Sequence, residues 1–247
     1  MDLKETFEYL VSLGRPVAIE ADGAPYINPA FTRIPDPTIT PLGVHDLQGI
    51  VDYVQAGFDV RSAVTSGVPD DLVTPAAIVV LSPLLVQVVS AIRGRDAERN
   101  ILASAFRQPY GAPFNQYLDQ ERFITWLQTG FVRDLDWTVV VDVASAVTAQ
   151  SIVTHSDDGV SQTVSVLDGI QRQHATVIPS PVLLRAYRTF EEIEQPVSAL
   201  VLRMRKGEDG ASPAMGLFEI TGDSWRVHAV ESIGAFLRAR VTLPVLA

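Results

Sequence analysis

His155-Ser156-Asp157-Asp158-Gly159 is the densest cluster of chemistry-bearing side chains in the sequence. An imidazole and two carboxylates this close could hold a divalent metal or carry acid–base work. The same residue types also make a tight turn, and the strand-like runs Ile152–Thr154 and Val160–Leu167 flank them. The turn is the simpler reading. A metal-dependent hydrolase built on His155, Asp157 and Asp158 is the lesser alternative, and no cofactor is expected.

Glu191, Glu192 and Glu194 precede Gln195-Pro196. Grouped carboxylates can serve glycoside hydrolysis. A solvated connection between two strands explains them more simply. Arg185 and Arg188 fall on one expected strand, and Arg203 and Arg205 on the next, two apart and on one face. Together they could bind an anion or contact a second subunit. Cross-strand pairing with the nearby glutamates is the plainer account. Trp126, Trp137 and Trp225 lie in or beside expected helices and suit core or interface anchoring.

Several mechanisms are excluded by what the sequence lacks. It has no glycine-rich phosphate loop, no G-x-G-x-x-G, no G-x-S-x-G and no H-E-x-x-H. Without cysteine there is no disulfide and no thiolate chemistry. The 247 residues carry 29 acidic against 19 basic side chains, a net charge of −10, and 47% of them are hydrophobic. That is too apolar for disorder and the wrong sign for sequence-independent nucleic-acid binding. Residues 1–75 hold 11 acids and 4 bases, so most of the negative field sits in the first third. Arginine supplies 17 of the bases, against Lys4 and Lys206 alone.

The elements that must position these residues can be read from spacing. Residues 2–13 have helical period, Val17–Glu20 reads as a strand, and five prolines make 23–43 an extended arm or irregular cover. Thr38-Ile39-Thr40 is a candidate edge strand within it. Residues 45–56 form a helix stopped by Gly57, and 65–75 read as a loop. Leu72–Ile92 contains no charge over 21 residues. Pro75, Pro83 and its β-branched residues favour two buried strands meeting at Ser82-Pro83 over a membrane span. Arg95–Phe106 is a possible helix, broken afterwards by Pro109, Gly111 and Pro113. Helices are expected over Asp119–Gln128, 134–149 and 225–240, and strands over Ala175–Ile178, Val182–Phe190, Val197–Lys206 and Met215–Ile220. Strands on short turns with helices gathered mainly earlier imply one α+β domain over 1–247. A mainly antiparallel sheet fills its C-terminal half, with helices packed on it.

Asp157-Asp158-Gly159-Val160-Ser161-Gln162, Gly169-Ile170 and Arg188-Thr189-Phe190-Glu191-Glu192-Ile193-Glu194-Gln195-Pro196 together resemble the YfdQ-like family of uncharacterised tailed-phage and prophage proteins. The likeness continues through Leu202-Arg203-Met204-Arg205, Leu217-Phe218-Glu219 and Trp225-Arg226, and spans roughly residues 115–240. It implies a phage or prophage origin and residence in the host cytoplasm, which the lack of a basic, apolar leader in Met1–Leu13 also favours. It brings no catalytic residues. The leading expectation is a non-enzymatic accessory or structural protein that self-associates into a ring, cage or shell, its partner being itself. The alternative is a small binding or decoy protein for a host protein or anionic ligand.

Overall fold

The computed structural model describes residues 18–21, 24–27, 32–33, 39–66, 70–92, 98–146, 163–168, 172–177, 179–205 and 213–247. Helices, antiparallel strands and mixed sheet coexist, as an α+β chain requires. No helix among the described residues is long and apolar enough to cross a membrane.

The uncharged run folds as a hairpin. Strands β5 (Pro75–Ser82) and β6 (Leu85–Ser90) pair antiparallel around Pro83-Leu84. Strand β7 (Ile101–Phe106) continues the sheet, with β4 (Leu42–Val44) parallel to its far edge and β14 (Val245–Leu246) parallel to β5. The helix expected over Arg95–Phe106 is therefore corrected: 101–106 is a strand, because β6 and β4 supply backbone partners on both sides. Helices α1 (Leu47–Ala56) and α6 (Ser224–Arg238) cover one face. Their Leu47, Ile50, Ile233 and Leu237 are fully buried against Ile78, Val86 and Val88. Asp46 caps α1 by accepting from Gly49 N at 2.6 Å. Gly57 ends it in the left-handed conformation, φ 56°, as expected of that residue. Two helices, α2 (Phe58–Ser66) and α3 (Asp70–Val73), follow where the sequence suggested connection and loop.

The second sheet is fully antiparallel, in the order β11 (Val182–Arg185), β12 (Val197–Arg205), β13 (Ala214–Glu219) and β8 (Leu118–Asp119). Helices α4 (Gln120–Gly130) and α5 (Trp137–Ala146) pack on it, with Phe123, Leu127 and Val140 fully buried against Leu184, Leu200 and Leu217. Alternation along β12 sends Ser198, Leu200, Leu202 and Met204 inward and leaves Val197, Ala199, Val201, Arg203 and Arg205 outward.

Within the proline-rich segment, the described residues 24–27, 32–33 and 42–44 are paired strands. Strands β2 (Ala24–Ile27) and β3 (Thr32–Arg33) form a small antiparallel sheet with β1 (Ala18–Ala21), while the edge strand expected at Thr38-Ile39-Thr40 does not include Ile39 or Thr40, the strand beginning only at Leu42. Strands β9 (Thr163–Asp168) and β10 (Arg172–Val177) make a separate hairpin. The expected helix over 2–13, strand Ile152–Thr154 and turn Ser156–Gly159 lie outside the described residues.

Candidate functional site

The stretch from Ala186 to Pro196 ties the two sheets together. Ala186 bridges Phe131, and Tyr187 N donates to Gly130 O at 3.0 Å, which anchors its start beside α4. Phe190 and Ile193 then enter the core of the five-stranded sheet. Thr189 Oγ1 donates to Pro83 O at 2.6 Å, and Glu192 Oε1 accepts from Leu47 N at 2.6 Å and Gln48 N at 3.2 Å at the start of α1. Gln195 closes the loop from inside. Its buried Oε1 accepts from Arg188 N at 2.9 Å and Thr189 N at 3.2 Å, and its Nε2 donates to Phe190 O at 2.8 Å. Buried backbone groups need partners, and one side chain supplies three here.

Arg188 is the most unusual residue of this clasp. Its side chain is 7% exposed. Nη1 donates to Glu219 Oε1 at 2.6 Å. The guanidinium carbon lies 3.9 Å from the Phe114 ring centroid and 5.0 Å from that of Trp225. Nε and Nη2 have no hydrogen-bond partner among the described residues. Burial pulls the guanidinium pKa below its ordinary value, and the Glu219 carboxylate opposes that pull. The residue borders a cavity of about 240 Å³ shared with Tyr110, Glu219, Asp223, Trp225 and Arg226. Arg226 Nε pairs with Asp223 Oδ1 at 3.0 Å.

Arg185 occupies a different setting. It pairs with Asp134 through Nη1 and with Glu194 Oε1 at 2.5 Å through Nη2. A wider hollow of about 540 Å³ opens beside it, bounded also by Arg107, Tyr110, Tyr187 and Glu191, with Arg107 Nη2 3.0 Å from Glu191 Oε1. The three glutamates thus have three separate structural tasks: Glu191 meets Arg107, Glu192 caps α1 and Glu194 meets Arg185.

The four arginines do not share one cluster. Arg185 faces Val197 in the register, six residues from Arg203, or roughly 20 Å along the strand. Arg203 stands opposite Gly216, and the Arg205 guanidinium lies 4.5 Å from the Tyr117 ring centroid. The expected cross-strand pairing is not what forms: the strand expected over Val182–Phe190 ends at Arg185, Arg185 meets Asp134 and Glu194 in connecting segments, and Arg188, in the connection after β11, meets Glu219 on β13. His155, Asp157 and Asp158 lie outside the described residues. Among those described, no group of three or more His, Asp or Glu is placed to hold a metal ion. Gln195, Thr189, Phe114 and Tyr110 were not singled out by type or spacing; their roles come from contacts between distant segments.

A second feature is the face of the five-stranded sheet turned away from α1 and α6. Its cross-strand rows are Ala77-Val89-Ile101, Val79-Gln87-Ser104 and Leu85-Phe106, with Leu81 at the bulged end of β5. No residue in these rows is charged, and none joins a described core cluster. Leu81 is 54% and Phe106 51% exposed. The sheet edges are short, β14 with two residues and β4 with three. Edge strand β11 of the other sheet is covered by residues 130–136 through Val132 N to Arg185 O, at 2.8 Å, and Leu183 N to Asp136 Oδ2, at 2.7 Å. Comparison with protein-family models, curated proteins and solved structures finds no match to this chain.

Proposed function

We propose that this chain is a non-enzymatic accessory or structural protein of a tailed phage or prophage, which assembles with copies of itself into a ring, cage or shell in the host cytoplasm. The uncharged sheet face carries the reading. On a chain of net charge −10, that face is where two copies can meet without opposing like charges. Leu81, Ile101 and Phe106 are its exposed apolar side chains, and exposed apolar residues gathered on one face mark interaction sites. Addition at sheet edges is the usual alternative route, and the covered β11 edge and the very short β4 and β14 disfavour it. Glutamates committed to Arg107, Arg185 and the start of α1 also favour a structural over a catalytic role. The phage origin rests on the resemblance of residues 115–240.

Sedimentation velocity of the wild type beside Leu81→Asp and Phe106→Asp tests the interface. Both side chains are more than half exposed, so the folded monomer tolerates the changes, and circular dichroism verifies it. The variants should sediment more slowly than the wild type. Identical sedimentation of all three would remove this face from any assembly. A second reading, a binding protein for an anionic ligand, is favoured by Arg188 and is developed next.

A further inference from the structure

We infer that the cavity beside Arg188 is a binding site for a small organic monocarboxylate with an apolar body. The inference does not rest on self-association, because no residue lining the cavity belongs to the assembly rows.

A guanidinium has two edges that can take an oxyanion side-on. In Arg188, Nη1 is engaged by Glu219, while Nε and Nη2 are unpartnered and together form the other edge. Two parallel N–H donors spaced on one edge match the two oxygens of a carboxylate. Phe114 and Trp225 pack against the guanidinium, 3.9 Å and 5.0 Å from its carbon to their ring centroids, which restricts how the group can turn. An orphaned buried donor is costly, and here two lie on one rigid group. That is the arrangement expected where a ligand supplies the missing acceptors.

The surroundings narrow the chemistry. Arg188 and Arg226 bring two positive charges, and Glu219 and Asp223 two negative ones. A single added negative charge can be held by Arg188, with Arg226 at the rim. A phosphate dianion would bring twice the repulsion from Glu219 and Asp223. Leu84, Pro109, Ala112 and the two aromatic rings supply apolar wall. At about 240 Å³ the space is smaller than the roughly 300–1,000 Å³ of drug-sized sites, which points to a compact ligand.

The two free donors are closed to solvent, so the carboxylate reaches them only as the cavity wall yields. Residues 107–117 form part of that wall and contain no helix or strand. Arg107 N to Leu84 O at 3.0 Å and Asn115 N to Leu217 O at 2.9 Å tie the two ends of this stretch to the sheets, while the bonds between them, Ala112 N to Tyr110 O at 2.7 Å and Phe114 N to Ala112 O at 2.9 Å, are local and can rearrange. Binding should therefore alter hydrogen exchange across this stretch.

Phenylacetate is the probe, with its neutral isostere phenylacetamide and inorganic phosphate as comparators, each titrated up to about 10 mM by ligand-observed NMR and tryptophan fluorescence. Phenylacetate should bind at least about tenfold more tightly than phenylacetamide, quench the Trp225 indole, and change exchange within 107–117. Trp225→Phe should remove the quench. Arg188→Lys retains the charge and the bond to Glu219 but lacks the Nε–Nη2 edge, and should weaken binding at least about tenfold. Should that variant not fold, the wild-type comparison of acid with amide decides alone. Equal affinity for acid and amide, no binding of phenylacetate, stronger binding of phosphate, or unchanged affinity in a folded Arg188→Lys would each overturn the inference.

Discussion

Replacing Gln195 with methionine keeps its length and burial and removes every hydrogen bond it makes. Arg188 N, Thr189 N and Phe190 O lose their close partner, and Ile193 O loses a longer contact at 3.5 Å. The first three belong to buried residues, with Arg188 9%, Thr189 0% and Phe190 1% exposed. A buried polar group left alone costs about 1–3 kcal/mol, so three at the lower end give about 3 kcal/mol. Domains of this kind have only about 5–15 kcal/mol in total, so the loss should be plain in a urea melt. The amides of Arg188 and Thr189 should also lose hydrogen-exchange protection ahead of the sheet strands, since Gln195 is their acceptor. A loss below about 1 kcal/mol with protection unchanged would refute the idea that this side chain holds the clasp between the two sheets.

Other consequences can be checked in the same melts. Tyr53 is 5% exposed and its phenol donates to Asp59 Oδ2 at 2.7 Å. Burial first, and Asp59 second, push its pKa well above the ordinary value. A folded-state pKa raised in this way gives stability that is complete below the unfolded value of about 10 and is lost as pH climbs beyond it, by at most about 1.4 kcal/mol per pH unit. Tyr53→Phe should flatten that alkaline decline, and an unchanged alkaline curve would count against the assignment. Glu192→Ala should cost about 1–2 kcal/mol by removing the acceptor of Leu47 N and Gln48 N at the start of α1, and Glu192→Gln should recover part of it, because an amide oxygen can still accept from Leu47 N. Gly216→Ala should destabilise by about 1–3 kcal/mol, because its Cβ would lie 2.3 Å from the Gln116 carbonyl oxygen.

Local pattern made much of the fold legible. Apolar stripes revealed α1, α4 and α6, with a glycine stop at Gly57 for the first, and the uncharged run split by Ser82-Pro83 revealed the β5–β6 hairpin. Failures occurred where partners are distant. The apolar spacing of Arg95–Phe106 suits a helix or a strand, and only β6 and β4 decide it. Helix α2 begins with Phe58 53% exposed and shows no clear apolar stripe. The two-residue strands β8 and β14 have no signal of their own, since each exists by pairing with a strand far away in sequence. At the site, the abundance of Arg and Glu announced ion pairs. The particular pair Arg188–Glu219 and the Phe114 and Trp225 rings around it come from three separate segments, and no local spacing encodes their meeting.

The mass of the full chain in dilute buffer, measured by light scattering across micromolar concentrations, bears most directly on the proposed role. A discrete multiple of the 26.9 kDa protomer, stable on dilution and reduced by Phe106→Asp, is the expected result. A single species at 26.9 kDa throughout would contradict self-assembly.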